Sequence, residues 1–369
     1  MLSEVFRMPE KDFDKSKYRF FTIVADVGGT NSYFAVMGVR DNKNYDIILK
    51  EKTLTLHLKE IYTPLNDILK KAYETYSIEV GRACISAAGP VSRRRGHIDL
   101  TNAGLQIKRG EILSKTLLKK VILINDFEAI GFGIDHLDLN KDVMELKHTG
   151  DLGKQGWVFS NTCAVIGAGT GLGTSVVYYD YDTHLHTPLP SEGGHMDLPA
   201  HDEFEFDLVQ FLKKKVLKTK DAHPEFERVL SGQGLHNIYN FLKSRRGFKP
   251  TATTRKLDKL EGNVKLEAID DNYGKDKTCT QTIDLFVKFY ARAAKNLALI
   301  SECYSGLFIA GRITLRNKDA FTKGDFMKEF EKHEKETGLL KKIPVFIITN
   351  TDVSLYGCCN VLTNFYSLS

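Results

Sequence analysis

Two glycine-rich turns are the parts of the sequence best suited to bind phosphate. The first lies between an apolar run that begins at Phe20 and ends in the carboxylate of Asp26, and a second apolar run over residues 33–37. Its glycines can adopt positive φ and let a ligand approach closely, and free backbone N–H groups in such a turn form a nest for an anion. Asp26, at the strand end, could hold a metal ion through water. The turn itself consists of Gly28, Gly29, Thr30 and Asn31.

The same arrangement recurs later in the chain. Apolar residues 163–166 precede a turn that contains Gly169, Thr170 and Gly171, and a second apolar run covers 175–179. Either turn alone could be an ordinary glycine hairpin, because short glycine motifs are common. The repeat with both flanking strands favours two similar domains that each present a phosphate-binding turn to one cleft.

Polar residues at other strand ends and loops could bind a polyhydroxylated substrate. Asn125 and Asp126 follow a continuous apolar strand, and α/β sheets bind ligands at the carboxyl ends of such strands. Glu192 and His195 lie three positions apart in a polar loop, and Glu227 precedes a turn of small residues. A sugar needs several fixed partners, because each missing one leaves a buried polar group unpaired.

Each of these polar groups also has a purely structural interpretation. Asn125 and Asp126 could cap the helix that follows them, and His195 could be a loop histidine satisfied by its neighbours. Taken singly, the residues do not separate the two interpretations. Taken together, they favour a binding site.

Composition excludes several classes of function. The chain has 369 residues, enough for about two domains, and a net charge of +5 that is spread along it. The basic triplets 93–95 and 213–215 are interpreted as solvated surface, which argues against a nucleic-acid binder. The six scattered cysteines contain no pair at metal-binding spacing and indicate a reducing, cytosolic compartment. No stretch approaches the roughly 20 apolar residues of a membrane span.

The periodicity predicts where regular structure is strong and where it is weak. Residues 1–19 are expected to form an irregular tail, and residues 282–300 form the clearest amphipathic helix. Residues 244–280 lack a firm period, so a surface insertion is expected there rather than a separate domain.

These motifs, in this order, resemble the glucokinases of the bacterial type, which also occur in protists. The resemblance is to the zinc-free group within the hexokinase, actin and heat-shock ATPase superfamily, and it runs from about Val24 to the C-terminal helix. It implies an α/β fold of two ribonuclease-H-like (actin-like ATPase) domains that flank a cleft. Residues 1–136 and 350–369 would form the small domain, and residues 137–349 the large one.

The resemblance also implies a reaction and its residues. The reaction is ATP-dependent phosphorylation of glucose to glucose 6-phosphate, the first step of glycolysis, with Asp126 as the general base. Asp26 would act on Mg²⁺ through water, and Gly311 would pack near the adenosine. The implied sugar-binding residues are Asn102, Asn125, Asp126, Glu192, His195 and Glu227. The implied phosphate-binding residues are Gly28, Gly29, Thr30, Asn31, Gly169, Thr170 and Gly171.

Three alternatives remain open from the sequence. The chain could be a non-catalytic sugar or nucleotide sensor of the same fold, a hexose kinase with a different preferred sugar, or an ATPase that acts on protein partners. The residues before the first strand show no helix-turn-helix pattern, which a DNA-binding sensor would need. A cytoplasmic protein is expected, with a small-molecule substrate, no nucleic-acid or membrane partner and a possible homodimer.

Overall fold

Strands and helices come in successive groups along the chain in the computed structural model, which describes residues 2–100, 104–147, 162–182, 184–219 and 221–365. The strands are β1 Ser3–Arg7, β2 Phe20–Val27, β3 Asn31–Val39, β4 Tyr45–Leu54, β5 Arg82–Ala87, β6 His97–Leu100, β7 Leu105–Lys108, β8 Lys120–Asn125, β9 Val143–Lys147, β10 Thr162–Ala168, β11 Leu172–Asp180, β12 Leu185–Leu189, β13 Leu307–Ala310 and β14 Val345–Ile348. The helices are α1 Tyr62–Tyr76, α2 Arg109–Lys115, α3 Asp126–Gly133, α4 Glu203–Phe211, α5 Gly232–Ser244, α6 Ala252–Leu257, α7 Gly262–Asp271, α8 Lys277–Ser301, α9 Arg312–Arg316, α10 Lys318–Lys323, α11 Phe326–Glu331, α12 Thr337–Leu340 and α13 Val353–Asn360.

The first of two compact units comprises residues 1–138, 179–190 and 350–369. Its main sheet has the strand order β1-β4-β3-β2-β5-β8, in which β2, β5 and β8 run parallel. Asp26 is level with Ser86, and Ser86 is level with Ile124. The carboxyl ends of these three strands therefore lie side by side, at the edge where α/β sheets bind ligands.

Helices cover both faces of this sheet. Apolar residues of α1 and α2 pack with one face, and apolar residues of α3 and α13 pack with the other. A Cβ atom added at Gly357 would lie 1.8 Å from the carbonyl oxygen of Ala129, and one added at Gly133 would lie 2.1 Å from that of Val353. The two glycines thus allow α3 and α13 to cross with their backbones in contact.

The second unit comprises residues 139–178 and 191–349. Within this unit its sheet has the order β11-β10-β13-β14-β9, with β10, β13 and β14 parallel. The long helix α8 lies in the core of this unit, where Phe286, Tyr290 and Leu297 are buried. Asp276 caps α8 by accepting hydrogen bonds from the backbone N–H groups of Thr278 and Cys279.

The α/β fold class that the sequence predicted is confirmed, and three regions differ from expectation. Residues 3–7 form the edge strand β1 rather than an irregular tail, because their backbone pairs with β4. Residues 244–280 contain α6 and α7, whose Leu257 and Ile269 are buried in the core of the second unit. Residues 179–190, which the sequence analysis placed in the large domain, belong to the first unit.

Within the described ranges, no helix combines the length and the apolar character that crossing a membrane requires. The six cysteines are all free and buried.

Candidate active site

The first glycine turn joins β2 to β3 and is held in place by a threonine. The backbone N–H of Gly28 donates to the carbonyl of Asn31 at 3.1 Å, and a Cβ at Gly28 would lie 3.0 Å from that same oxygen. The Thr55 hydroxyl donates to the carbonyl of Gly28 at 2.7 Å, and its backbone N–H donates to the carbonyl of Thr30 at 2.9 Å. Neither Gly28 nor Gly29 has positive φ, so the constraint seen at Gly28 is steric and not conformational.

Asp26 lies one residue before the end of β2, with both carboxylate oxygens in use. Ser86 donates to Oδ1 at 3.1 Å, and Ser354 of α13 donates to Oδ2 at 2.7 Å. Burial raises the pKa of Asp26, and the two serine hydrogen bonds act in the opposite direction by stabilising the anion. Asp352, which forms an ion pair with Lys50, raises the pKa further.

Asn125 ends β8 and caps α3. Its Oδ1 accepts hydrogen bonds from the N–H groups of Phe127 at 2.8 Å and Glu128 at 3.4 Å. Its Nδ2 donates to the carbonyl of Gly89 at 3.2 Å. Glu128 completes the capping box by accepting a 2.9 Å hydrogen bond from the backbone N–H of Asn125. The structural interpretation offered by the sequence therefore applies to Asn125, whose side chain also forms a hydrogen bond that lowers the pKa of Asp126.

Asp126 is the first residue of α3 and has an unusual acidity. Burial raises its pKa to about 7, and the negative charge of Asp26 contributes to the shift. The backbone N–H of Phe127 donates to its Oδ1 at 3.0 Å, which acts in the opposite direction. A carboxylate with a pKa near neutrality can accept a proton during a reaction and release it again afterwards.

The carboxylates of the first unit suit a hydrated cation. Each Asp26 oxygen accepts one serine hydrogen bond and keeps a lone pair for another donor, such as a metal-bound water. The charge of Asp26 also disfavours ionisation of Asp126, and a cation would relieve that repulsion. Magnesium retains several waters when it binds protein carboxylates, so a water-mediated contact to Asp26 fits this environment.

The second glycine turn joins β10 to β11. Ala168 pairs with Leu172, and the backbone N–H of Gly169 donates to the carbonyl of Gly171 at 2.8 Å. The buried Tyr290 hydroxyl accepts a 3.2 Å hydrogen bond from the N–H of Ala168, just before the turn. The turn is therefore fixed to the core helix α8.

Glu227 lies directly against this turn. Its Oε2 accepts a 2.9 Å hydrogen bond from the N–H of Leu172, and a Cβ at Gly171 would lie 2.4 Å from the same oxygen. No described residue contacts Oε1 of Glu227 by a hydrogen bond, so this oxygen can accept one from a ligand. A residue predicted to bind sugar thus also supports a turn predicted to bind phosphate.

Gly311 connects β13 to α9 and is a required glycine. Its φ is +104°, a conformation that residues with a side chain rarely adopt. A Cβ at this position would lie 2.5 Å from the carbonyl oxygen of Ala168. Gly311 therefore brings the start of α9 close to the second glycine turn.

The loop with Glu192 and His195 forms a short 3-10 turn on the start of β11. A Cβ at Gly194 would lie 1.8 Å from the carbonyl of Leu172, so the loop backbone is in contact with that strand. His195 Nδ1 lies 3.0 Å from Oε2 of Glu225, and His195 Nε2 lies 3.7 Å from Oε2 of Glu192. The Glu192 side chain is 72% exposed, which leaves it available to a ligand.

Glu225 is a residue that the sequence analysis missed. It contacts His195 on one side and pairs with Arg228 at 2.7 Å on the other, so it orients the imidazole. One ligand atom each from His195, Glu225 and Glu227 lie within 4.8 Å of one another. A polar set this tight can hold several hydroxyl groups of one ligand. Glu225 stands two positions before Glu227 in the sequence, but no local pattern there indicates a contact with His195.

The predicted residues therefore fall into two groups. In the first unit, Asp26 lies next to the turn 28–31, and Asn125 and Asp126 lie at the end of β8, with β5 between the two strands. In the second unit, Glu227 contacts both the turn 169–171 and, through the polar set, His195. Asn102 lies outside the described residues.

Known proteins match the chain over nearly its whole length. A family model described as Glucokinase matches residues 23–365. The glucokinase of Sinorhizobium fredii is 28% identical over 341 residues, which are 92% of this chain and 91% of that relative. The crystal structure of glucokinase from an Antarctic psychrotroph is 26% identical, with a TM-score of 0.72 over 93% of this chain and 99% of that one. The Balamuthia mandrillaris glucokinase, solved in complex with glucose, shares the fold, with a TM-score of 0.74 at 22% identity and 93% of each chain covered.

Proposed function

Since the chain belongs to the glucokinase family, we propose that it transfers the γ-phosphoryl group of ATP to the 6-hydroxyl of glucose, forming glucose 6-phosphate. The observation that carries this proposal is Asp126, a carboxylate with a pKa of about 7 at the start of α3. Phosphoryl transfer needs positioned reactants, neutralised phosphate charge and a group that accepts the proton of the attacking hydroxyl. The two glycine turns and the acidic residues supply candidates for each task.

Asp126 is the proposed general base. It accepts the proton of the acceptor hydroxyl as the new bond to phosphorus forms, and it releases that proton to solvent afterwards. A general base must be ionised before the reaction and must also bind the proton well. A pKa near 7 meets both requirements at neutral pH. General-base help of this kind contributes about 10²–10⁴-fold to a rate.

The glycine turns are the proposed phosphate sites. Backbone N–H groups of residues 28–31 and of residues 169–171 donate to phosphate oxygens, and Gly311 lies next to the second turn, where adenosine would follow the phosphates. Asp26 would hold Mg²⁺ through water. When bound, the ion neutralises phosphate charge during the transfer.

The proposed sugar-binding residues are polar side chains that can form hydrogen bonds with hydroxyl groups. Glu227 offers Oε1, Glu192 offers an exposed carboxylate, and Asn125 lies next to the proposed base. His195, oriented by Glu225, offers its imidazole edge. The family resemblance adds Asn102 to the proposed sugar-binding residues.

A coupled assay with purified protein tests the proposal. Glucose with ATP and Mg²⁺ should give glucose 6-phosphate, and Asp126→Asn should lower kcat by at least about 100-fold while glucose binding, measured by calorimetry, persists. Full activity in this variant would exclude Asp126 as the base. A panel of mannose, fructose and glucosamine separates glucose from another preferred hexose, and ATP turnover that no sugar changes would favour an ATPase.

The setting of the reaction is part of the proposal. Six buried free thiols fit a reducing compartment, which supports a cytoplasmic enzyme in the first step of glycolysis. A homodimer is proposed from the family resemblance, and sedimentation of the full chain tests it.

A further inference from the structure

Arg95 lies in the loop between β5 and β6, within the arginine run that the sequence analysis interpreted as solvated surface. Its backbone has a φ of 48°, in a turn closed by its own N–H, which donates to the carbonyl of Ser92 at 2.7 Å. The Ser92 hydroxyl also accepts hydrogen bonds from the N–H groups of Gly96 and His97. The loop is therefore ordered around Arg95, whose side chain is only 34% exposed.

The guanidinium of Arg95 forms a bidentate ion pair with Glu128. Its two terminal nitrogens lie 2.7 Å from Oε1 and 3.2 Å from Oε2 of Glu128. The Glu128 side chain is 4% exposed, so its charge is buried and depends on this partner. Arg95 also donates to the carbonyl of Leu123 in β8 at 3.1 Å.

Glu128 connects Arg95 to the residue before the proposed base. Its Oε2 accepts a 2.9 Å hydrogen bond from the backbone N–H of Asn125, and this bond closes the capping box at the start of α3. Asp126 is the next residue, so its main chain lies between two groups that Arg95 fixes, the end of β8 and the first turn of α3. The bonds from Arg95 to Glu128 and to the carbonyl of Leu123 therefore act on both sides of Asp126.

We propose that Arg95 is a positioning residue for phosphoryl transfer, which holds Asp126 in place through Glu128 and Leu123. This inference rests on the proposed function, because it assumes that Asp126 is the base. Without the guanidinium, Glu128 becomes an unpaired buried carboxylate and turns toward water, and the N–H of Asn125 loses its acceptor. The first turn of α3 then loosens, and a displacement of about 1 Å at a reacting group can lower a rate by about 100-fold.

The kinetic experiment compares Arg95→Gln with Arg94→Gln. Arg94 is the adjacent member of the same run, and its side chain is exposed with no described partner. We expect Arg95→Gln to lower kcat about 10- to 100-fold while the KM values for glucose and ATP change by less than about 3-fold, because its proposed effect is on the position of the base. Arg95→Lys keeps the positive charge but loses the planar guanidinium that bonds both oxygens of Glu128, and it should recover part of kcat. Arg94→Gln should match the wild-type protein.

A double-mutant cycle separates the network from a general loss of stability. Glu128→Gln should lower kcat as Arg95→Gln does, and the combined variant should lose about as much as one single variant, because both act through one contact. If the kcat of the combined variant falls by the product of the two single-variant factors, the residues act independently and the proposal is overturned. A kcat for Arg95→Gln within about 2-fold of wild type in a folded protein would also overturn it.

Hydrogen exchange gives a readout that does not depend on activity. Mass spectrometry of the peptide that covers residues 120–133 should show faster exchange at the start of α3 in Arg95→Gln, and unchanged exchange in Arg94→Gln. Unchanged exchange in Arg95→Gln would exclude the positioning role. If the wild-type protein phosphorylates no sugar, the proposed function fails, and the exchange result still decides whether Arg95 holds this turn.

Discussion

The Ser354 hydroxyl donates a 2.7 Å hydrogen bond to Oδ2 of Asp26 and so joins the C-terminal helix α13 to the end of the second strand. Ser86 donates to the other oxygen from the neighbouring strand. With both oxygens held, the Asp26 carboxylate has one orientation, and that orientation depends on the packing of α13. Helix α13, from the end of the sequence, thus contributes to the site that the first glycine turn begins.

Removing the Ser354 hydroxyl should weaken the response to magnesium. In Ser354→Ala the carboxylate of Asp26 loses a donor that stabilises its charge, so its pKa rises further and its orientation loosens. We expect the Mg²⁺ concentration for half-maximal activity to rise by about 10-fold, because outer contacts of this kind typically change metal affinity by about 10- to 100-fold. Glucose KM should stay unchanged.

Ser301→Ala is the matched control for this change. Ser301 is also a helical serine, but its hydroxyl donates to the carbonyl of Leu297 within α8 of the second unit. The control should retain the wild-type Mg²⁺ dependence. An Mg²⁺ titration of Ser354→Ala that overlays the wild-type curve would contradict the role assigned to this hydrogen bond.

Because of Asp126, the activity should fall on the acidic side of the pH profile. A general base must be ionised, and burial raises the pKa of this carboxyl to about 7. We therefore expect kcat/KM to fall as the pH drops below about 7, with a slope of one proton, since this ratio reports the free enzyme. The measurement is a pH series of kcat/KM with glucose and the Mg²⁺ complex of ATP both well below their KM values, so that the unliganded enzyme titrates. A profile that stays flat down to pH values of about 5 would mean that the carboxyl titrates in its ordinary range.

The same shift predicts a pH-dependent gain in stability for Asp126→Asn. The folded-state pKa of about 7 lies above the usual value of 3.8, so between these two pH values the folded protein holds a proton that the unfolded chain has lost. Ionising Asp126 therefore destabilises the wild-type fold as the pH rises through this window, and the cost is full above it. Asparagine removes that cost. We expect a higher Tm than wild type at pH 8 and no difference near pH 4, measured by thermal unfolding across the series.

Local patterns were enough to predict both glycine hairpins, because strand, turn and strand are adjacent in sequence. The pairing of Asp26 with Tyr33 and of Ala168 with Leu172 follows directly from the two turns. Strand β1 was missed for a physical reason. All five of its residues are exposed, and it is held by backbone hydrogen bonds to β4, so it carries no apolar alternation.

The candidate site was predictable in its residue types but not in its contacts. Asp126, Glu227 and His195 could be selected from motifs, whereas Arg95 and Glu225 act on them from distant positions in the chain, and no local pattern marks such a contact. The side chain of Asn125 is predicted to bind sugar, and in the structure its oxygen already caps α3. A sequence motif does not reveal how many of a side chain's hydrogen bonds the fold already uses.

The crossing of α3 and α13 should tolerate no side chain at Gly357. A Cβ there would lie 1.8 Å from the carbonyl oxygen of Ala129, which is backbone and cannot move aside. We expect Gly357→Ala to destabilise the protein by at least about 1–3 kcal/mol, because the two helices must separate. Chemical denaturation measures the change.

Gly110→Ala is the control for the chemical change itself. Gly110 is exposed in α2, and a Cβ there would meet nothing within 4 Å. Alanine should be neutral or stabilise the protein by about 0.5–1 kcal/mol, since glycine is unfavourable inside a helix. Equal effects of the two substitutions would show that the crossing does not depend on backbone contact.

Glu227→Ala should weaken the binding of ATP as well as that of glucose. The residue offers Oε1 for a sugar hydroxyl, but its Oε2 accepts the N–H of Leu172 at the end of the turn 169–171. Hydrogen bonds to charged groups are worth about 1.5–3 kcal/mol, so we expect the KM values for glucose and for ATP to rise by about 10-fold or more. Glu192→Ala is the comparison, because its exposed carboxylate makes no contact with that turn and should change the KM for glucose alone. An unchanged KM for ATP in Glu227→Ala would mean that the turn holds its shape without this carboxylate.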